Sequence, residues 1–424
     1  MRSMKFPTLD RQKEIYLNGF AGTLPTVPIS AYKLEEVAKK NISPQAYAYI
    51  AGGAGNENTL RGNRAAFEKH KIVPRMLRDV SVRDSTIELF GQRLPSPLLI
   101  APIGVLEMAH PQADIAVGKA AASLHIPYIF SNQASKPMEE VAAAMKNSPR
   151  WFQLYWSKSK ELVKSFVQRA EKCGCSTIVV TLDTTVLGWR TRDLDLAYLP
   201  FLEGKGIAQY TSDSVFQKLM DESDPSAKRK ITMQSIRGLI EIVKNYPGGN
   251  FMAKLKSGRP VKAVQKFVNI YSNPALTWEH LKFLKTLTPL PVLLKGILHA
   301  DDARKAIDYG MDGIIVSNHG GRQVDGSISS LEALPSIVEA VQNKIPILLD
   351  SGIRGGADIF KALALGAKAV CLGRPYVYGL AVAGEQGVKE VLQNMLTDFE
   401  LTMALAGCKN ISEITHDTLK RTAL

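Results

Sequence analysis

Gly313-Ile-Ile-Val-Ser317-Asn-His319-Gly-Gly-Arg322-Gln323 decides how the rest of the chain is read. Its apolar run is β-branched and does not alternate with polar residues, which suits a strand buried on both faces of a parallel sheet. It then turns abruptly into Ser, Asn, His and Arg across two glycines, groups a packed core does not accept without partners. The same design, a short apolar strand with a polar end, recurs at Leu98–Ala101, Pro127–Ser131, Trp151–Tyr155 and Thr177–Asp183. It recurs again at Pro291–Lys295, Ile345–Asp350 and Ala367–Gly373, making eight strands in all.

Seven helix-length amphipathic segments lie between these runs: Ala113–Leu124, Met138–Lys146, Lys160–Cys173, Glu279–Leu287, Ala300–Tyr309, Leu331–Val341 and Ala357–Leu365. Gly310 and Gly366 stand just past two of them, where helix C-caps favour glycine. Eight strand–helix units predict an α/β fold, the (β/α)8 TIM barrel. An open doubly wound sheet is the alternative, and the absence of Gly-x-Gly-x-x-Gly after the first strand counts against it. Two regions break the rhythm. Residues 1–95 are expected to form an extension packing on the barrel, and 96–424 the barrel itself. The long connection 194–276 after strand four is expected to be a lid at the C-terminal face, with a mobile spacer as the alternative.

Composition excludes several classes. With 45% hydrophobic and 22% charged residues in 424, the chain is neither disordered, collagenous nor a coiled coil. No apolar run approaches the ~20 residues of a membrane span. The opening MRSMKFPTLDRQKEIY has no apolar core of a secretory signal, so a cytoplasmic protein is expected. Lys+Arg exceed Asp+Glu by 13 (53 against 40), but the excess is dispersed apart from a lysine-rich stretch between Lys205 and Lys266. Without zinc spacing, an RNA-binding signature or a helix-turn-helix cue, the basic surface suits small anions rather than nucleic acid. Cys173, Cys175, Cys371 and Cys408 fit neither a redox pair nor a zinc knuckle, and no metal is expected.

Active sites of such barrels lie at the C-terminal ends of the strands. Those ends carry Ser131, Gln153 with Tyr155, Thr181 with Asp183, Lys295, Ser317 with His319, Asp350, and Gly373-Arg374. Asp350-Ser-Gly352-Ile-Arg354-Gly-Gly and Gly373-Arg374-Pro375 combine glycines with two arginines, as a phosphate site requires. His319 is placed to act as a general base, with Arg322 beside it for an anionic substrate and Asp183 to stabilise an imidazolium. Lys295, ending an apolar strand, needs an anionic partner. Arg190 is a second candidate carboxylate clamp. His70, His125, His280 and His416 are expected to be structural.

These segments resemble the FMN-dependent L-2-hydroxy-acid oxidising family, which includes glycolate oxidase, lactate oxidase, lactate monooxygenase and flavocytochrome-type lactate dehydrogenases. The resemblance runs from about residue 30 to 415, and Ser317-Asn-His-Gly-Gly-Arg-Gln323 is its most specific part. It implies FMN at the barrel mouth, His319 as base with Asp183 behind it, and Lys295 stabilising charge on the flavin. It implies that Arg190 and Arg322 hold the substrate carboxylate while Tyr49 and Tyr155 contact the substrate. Ser131, Gln153, Thr181 and Ser317 match flavin-contacting positions; Asp350, Gly352, Arg354, Gly373 and Arg374 match ribityl-phosphate positions. It also implies a small-molecule substrate with O2, and a tetramer or octamer.

Within the family, Glu14-Ile-Tyr-Leu-Asn-Gly-Phe-Ala-Gly22, Pro200-Phe-Leu-Glu-Gly204 and Gly206-Ile-Ala-Gln-Tyr210 are similar to lactate monooxygenase. So is Gly104, where simple oxidases carry alanine; the missing methyl is expected to change the room near the flavin. Glu107-Met-Ala-His110-Pro111 and Phe399–Cys408 look more like glycolate oxidase. The lysine-rich connection stands where some membrane-associated dehydrogenases of the family carry an anchor, but it lacks a long enough apolar run, and no membrane association is expected. The expected reaction is L-lactate with O2 giving acetate, CO2 and water. Peroxide-forming oxidation of lactate or glycolate, a quinone-linked dehydrogenase, a nucleotide-using barrel and a non-catalytic anion-binding barrel are the alternatives.

Overall fold

Eight short strands, every one buried along most of its length, close on themselves in this computed structural model, which describes residues 8–222 and 233–422. In chain order they are β1 (Leu98–Ile100), β2 (Tyr128–Phe130), β3 (Arg150–Leu154), β4 (Ile178–Thr181), β5 (Val292–Ile297), β6 (Gly313–Val316), β7 (Ile347–Leu349) and β8 (Ala369–Leu372). All pair in parallel with their sequence neighbours, and β8 returns to β1 with Val370 opposite Leu98 and Leu372 opposite Ile100. That closure is the (β/α)8 barrel, and it excludes the open sheet.

The helices are α1 (Ala113–Ser123), α2 (Met138–Met145), α3 (Lys160–Lys172), α4 (Trp278–Leu287), α5 (Ala300–Asp308), α6 (Ser330–Val341), α7 (Gly356–Ala364) and α8 (Arg374–Ala406). Ser159 and Ser329 cap α3 and α6, accepting hydrogen bonds from the N–H groups of Leu162 and Glu332. The first seven follow the sequence reading. The last was not in it: α8 is rich in alanine and glycine and changes direction at Ala383 and Gly384, so no single apolar stripe runs along it.

Two regions complete the barrel. Inside it, Leu99, Ile129, Trp151, Val179, Leu293, Ile315, Leu348 and Cys371 pack together. Leu89 and Leu94 join them from a hairpin, Ile87–Leu89 with Gln92–Leu94. The hairpin tip Phe90 meets Trp151, at the start of β3, edge-on at 5.7 Å, so the hairpin closes the N-terminal floor. The connection after β4, expected as a lid, carries helices at Thr191–Asp195, Ala208–Thr211, Ser214–Leu219, Met233–Asn245, Phe251–Ser257 and Arg259–Ile270. It has an aromatic cluster of its own. Tyr210 lies 4.8 Å from Phe267 and Phe201 lies 5.1 Å from it, all three buried. Lys228, Arg229 and Lys230 of the lysine-rich stretch lie outside the described residues, as does Met1–Pro7 at the start of the chain.

Trp151→Ala should remove both the barrel filling and the seat of Phe90, lowering stability by roughly 3–5 kcal/mol. The thermal midpoint of the purified protein should therefore fall by several degrees, whereas Trp189→Ala, at an exposed position, should leave it nearly unchanged.

Candidate active site

The strand ends converge on an open cleft of about 1030 Å³ at the C-terminal mouth. At its base Lys295, 4% exposed, is the organising cation. Its Nζ donates to Ser317 Oγ at 2.9 Å and lies 3.6 Å from Asp183 and 3.4 Å from Asp350, each group arriving on a different strand end. Burial disfavours its charge, but the two carboxylates outweigh that and raise its pKa above the ordinary lysine value. Asp183 is buried too, yet Lys295 and His319 hold it well below the usual carboxylate range.

His319 Nδ1 lies 2.7 Å from Asp183 Oδ1. An ionised carboxylate only accepts, so Nδ1 carries the proton and Nε2 is left to act as acceptor. Burial, assisted by Lys295 and Arg190, lowers the His319 pKa despite Asp183. The ring is therefore neutral at physiological pH. Thr184 Oγ1 sits 3.1 Å from the same Asp183 oxygen and 3.3 Å from His319 Nδ1, a member of this cluster that the sequence reading missed. Its adjacency to Asp183 was the available signal.

The carboxylate clamp is assembled around Tyr49. Arg322 and Arg190 lie over its ring, 4.8 and 5.9 Å from the centroid. Arg322 donates to the carbonyls of Tyr49 and Gly52; Arg190 donates to the Arg322 carbonyl and to Gln323 Oε1. Among the described residues neither guanidinium is hydrogen-bonded to a carboxylate. Burial, with Arg190 alongside, lowers the Arg322 pKa to about 9. Asp193 is the carboxylate whose charge acts on both, without a hydrogen bond to either, so this pair of neighbouring cations can still take an anion. Tyr155 lines the same cleft, its phenol pushed up to about 12 by burial and by Asp183, so it stays protonated. Phe201 and Tyr271 add an aromatic wall from the insertion. Nothing local in the sequence marked them, because they come from outside the strand–helix repeat.

Gly104 lines the cleft, and so does Gln133. A Cβ at Gly104 would lie 2.7 Å from the carbonyl oxygen of Gln133 and 2.9 Å from its Cβ, so the missing methyl also lets the β1 and β2 loops approach closely.

Behind the cleft, Gln153 Nε2 and Thr181 Oγ1 are buried, at 1% and 3% exposure, and have no hydrogen-bond partner among the described residues. Leaving such groups unpaired costs about 1–3 kcal/mol each. Ser131 Oγ donates to Gln153 Oε1 at 3.4 Å, which holds the amide nitrogen as the free end. A flat ring with carbonyl and N–H edges, beside a buried lysine, answers these needs, so the residues present fit the expected FMN. At the phosphate end Gly352, Arg354, Gly373 and Arg374 all line the cleft. The two arginines differ. Arg374 donates to the carbonyls of Ile50, Gly52 and Gly320, which uses three of its five N–H donors and leaves two. Arg354 makes only a local bond, to the Ile353 carbonyl, and is the less engaged of the two. The first amides of α7 are also occupied: Asp358 takes those of Arg354 and Gly355, and Asp398 that of Gly356.

Comparison with known proteins bears on this arrangement. Residues 38–421 match the family described as FMN-dependent dehydrogenase. The chain is 44% identical over 392 residues to an L-lactate oxidase of Lysinibacillus sphaericus, covering 92% of each chain. It is 40% identical to an FMN-dependent alpha-hydroxy acid dehydrogenase of Penicillium citrinum, covering 97% of this chain and 95% of that one. Among solved structures it superposes on mandelate oxidase with (S)-4-hydroxymandelic acid at a TM-score of 0.77 and 34% identity, covering 93% of this chain and 98% of that chain.

The unequal commitments of the two arginines can be separated. Arg354→Leu should weaken FMN binding roughly tenfold or more, the scale of one charge-assisted hydrogen bond, with little change in the thermal midpoint of the flavin-free protein. Arg374→Leu should lower that midpoint, because it releases residues 50–52. Titration with FMN by fluorescence quenching and a thermal melt distinguish the two.

Proposed function

The chain belongs to the FMN-dependent dehydrogenase family and is an FMN-dependent 2-hydroxy-acid oxidoreductase; from that premise we propose that its substrate is L-lactate and its acceptor O2, with acetate, CO2 and water as products. Atoms balance, since lactate and O2 together equal those three. The observation that carries the reading is the clamp of Arg190 and Arg322 next to His319, a carboxylate site set beside a base.

FMN, when bound, accepts the electron pair from the substrate α-carbon and passes it to oxygen. Gln153 and Thr181 would hold its ring, Lys295 would face its developing negative charge, and Gly352, Arg354, Gly373 and Arg374 would hold its phosphate. The protein's own residues do the rest. Arg190 and Arg322 bind the carboxylate, which fixes the α-carbon. Tyr155, protonated, donates to the substrate oxygens. His319 Nε2 accepts the hydroxyl proton, and Asp183 stabilises the imidazolium so formed. The insertion, whose Phe201 and Tyr271 wall the cleft, keeps the oxo acid in place during the reaction with oxygen. A cytoplasmic tetramer or octamer is part of the same proposal.

A second reading, release of pyruvate and hydrogen peroxide, is favoured by the relative named L-lactate oxidase. Incubation with L-lactate in air, with acetate, pyruvate and peroxide quantified, separates them. Acetate with little peroxide supports the proposal; pyruvate with equimolar peroxide makes the protein an oxidase; flavin that stays oxidised under nitrogen removes lactate. His319→Ala should lower kcat by roughly 10²–10⁴-fold while FMN stays bound.

The base must be neutral to work, and its pKa is lowered. The acid limb of kcat/KM should therefore lie below the ordinary histidine range of about 6.5, activity being lost only as pH drops through the lowered pKa of His319. A pH–rate profile reads it directly.

A further inference from the structure

Glu107 lies in the short turn Leu106–Met108 after β1, outside the cluster described above. Its own N–H donates to Ser135 Oγ at 3.0 Å, which fixes it to the β2 loop. Its carboxylate accepts the backbone N–H of Gly206, in the insertion, at 2.8 Å. Burial raises its pKa, against the opposing pull of the Gly206 N–H, Lys205 and Lys136.

Gly206 sits flat against this loop. Its φ is +69°, and a Cβ added to it would lie 2.6 Å from Val105 Cγ2 and 3.1 Å from the Gln133 carbonyl oxygen. Two residues on, the Ala208 N–H donates to the Ala134 carbonyl at 3.2 Å, and the buried Gln209 accepts from the Met138 N–H at 3.0 Å. One residue back, the Lys205 N–H closes onto the Pro200 carbonyl at 3.2 Å, completing the turn that carries Phe201. Phe201 stands edge-on to Tyr49 at 6.5 Å, and Tyr49 is the ring beneath both clamp arginines. A continuous path of contacts runs from the Glu107 carboxylate to the substrate clamp.

We infer that Glu107 is a positioning residue, whose carboxylate latches Gly206 to the β1 loop and so holds the Phe201 wall against Tyr49, setting how tightly the cleft retains a 2-hydroxy acid. The substrate part rests on the proposed activity; the latch does not.

The test uses the full-length, FMN-loaded protein with three single variants, Glu107→Ala, Glu107→Gln and Gly206→Ala, and the double variant combining Glu107→Ala with Gly206→Ala. Amide hydrogen exchange across residues 206–211 reads the latch, and the split between KM and kcat for L-lactate reads the wall. Glu107→Ala should speed exchange and raise KM, each roughly tenfold, the size of one hydrogen bond, with kcat within about twofold of wild type. Glu107→Gln keeps an acceptor oxygen and should stay close to wild type. Gly206→Ala should open the segment as Glu107→Ala does, and the double variant should be no worse than the stronger single one. Unchanged exchange in Glu107→Ala overturns the latch. So does a Glu107→Gln variant as loose as Glu107→Ala, or a double variant in which the effects simply add. A fall in kcat at constant KM overturns the positioning role. If wild type leaves every 2-hydroxy acid unoxidised, the activity reading fails while the exchange arms still decide the latch.

Discussion

A buried ammonium group organises this molecule. Lys295 Nζ would be costly to desolvate alone, and Asp183, Asp350 and Ser317 make it tolerable by bringing charge and a hydroxyl from three other strand ends. The arrangement works in both directions. Asp183 is ionised because Lys295 is there, and only an ionised Asp183 fixes the tautomer of His319. The register of the barrel and the protonation of its base are thus parts of one electrostatic balance.

Four arginines divide the remaining work, and the division is not evident from their identities. Arg322 and Arg374 bond to carbonyls at Tyr49, Ile50, Gly52 and Gly320, so they hold the segment before the barrel against the β6 loop. Arg190 leans on Arg322 and Gln323, and Arg354 is the least engaged. Residues 49–52 are therefore integral to the cleft. Tyr49 forms part of it only because cations from distant loops fasten its backbone and cover its ring.

Much of this was legible before any coordinates. Strands buried on both faces leave unbroken Val, Ile and Leu runs, so all eight could be found, and a polar residue ending such a run had to lie at a mouth. What escaped notice lacked that kind of signal. Helix α8 has no clean apolar stripe. The insertion lies outside the strand–helix repeat and packs an aromatic cluster of its own, so Phe201 and Tyr271 carried no mark of facing the cleft. The close approach of Gly104 to Gln133 is a contact between two loops that no local pattern encodes. Similarly, nothing in Gly-Arg-Pro reveals that Arg374 also binds three carbonyls from distant loops.

The hairpin under the barrel has a consequence of its own. With Phe90 wedged against Trp151, the floor is stoppered, and the vessel opens upward. The open side is the cleft at the strand ends, and the insertion supplies part of its rim through Phe201 and Tyr271. A protein built this way can change its chemistry's outcome by altering that rim, leaving the strand ends below untouched.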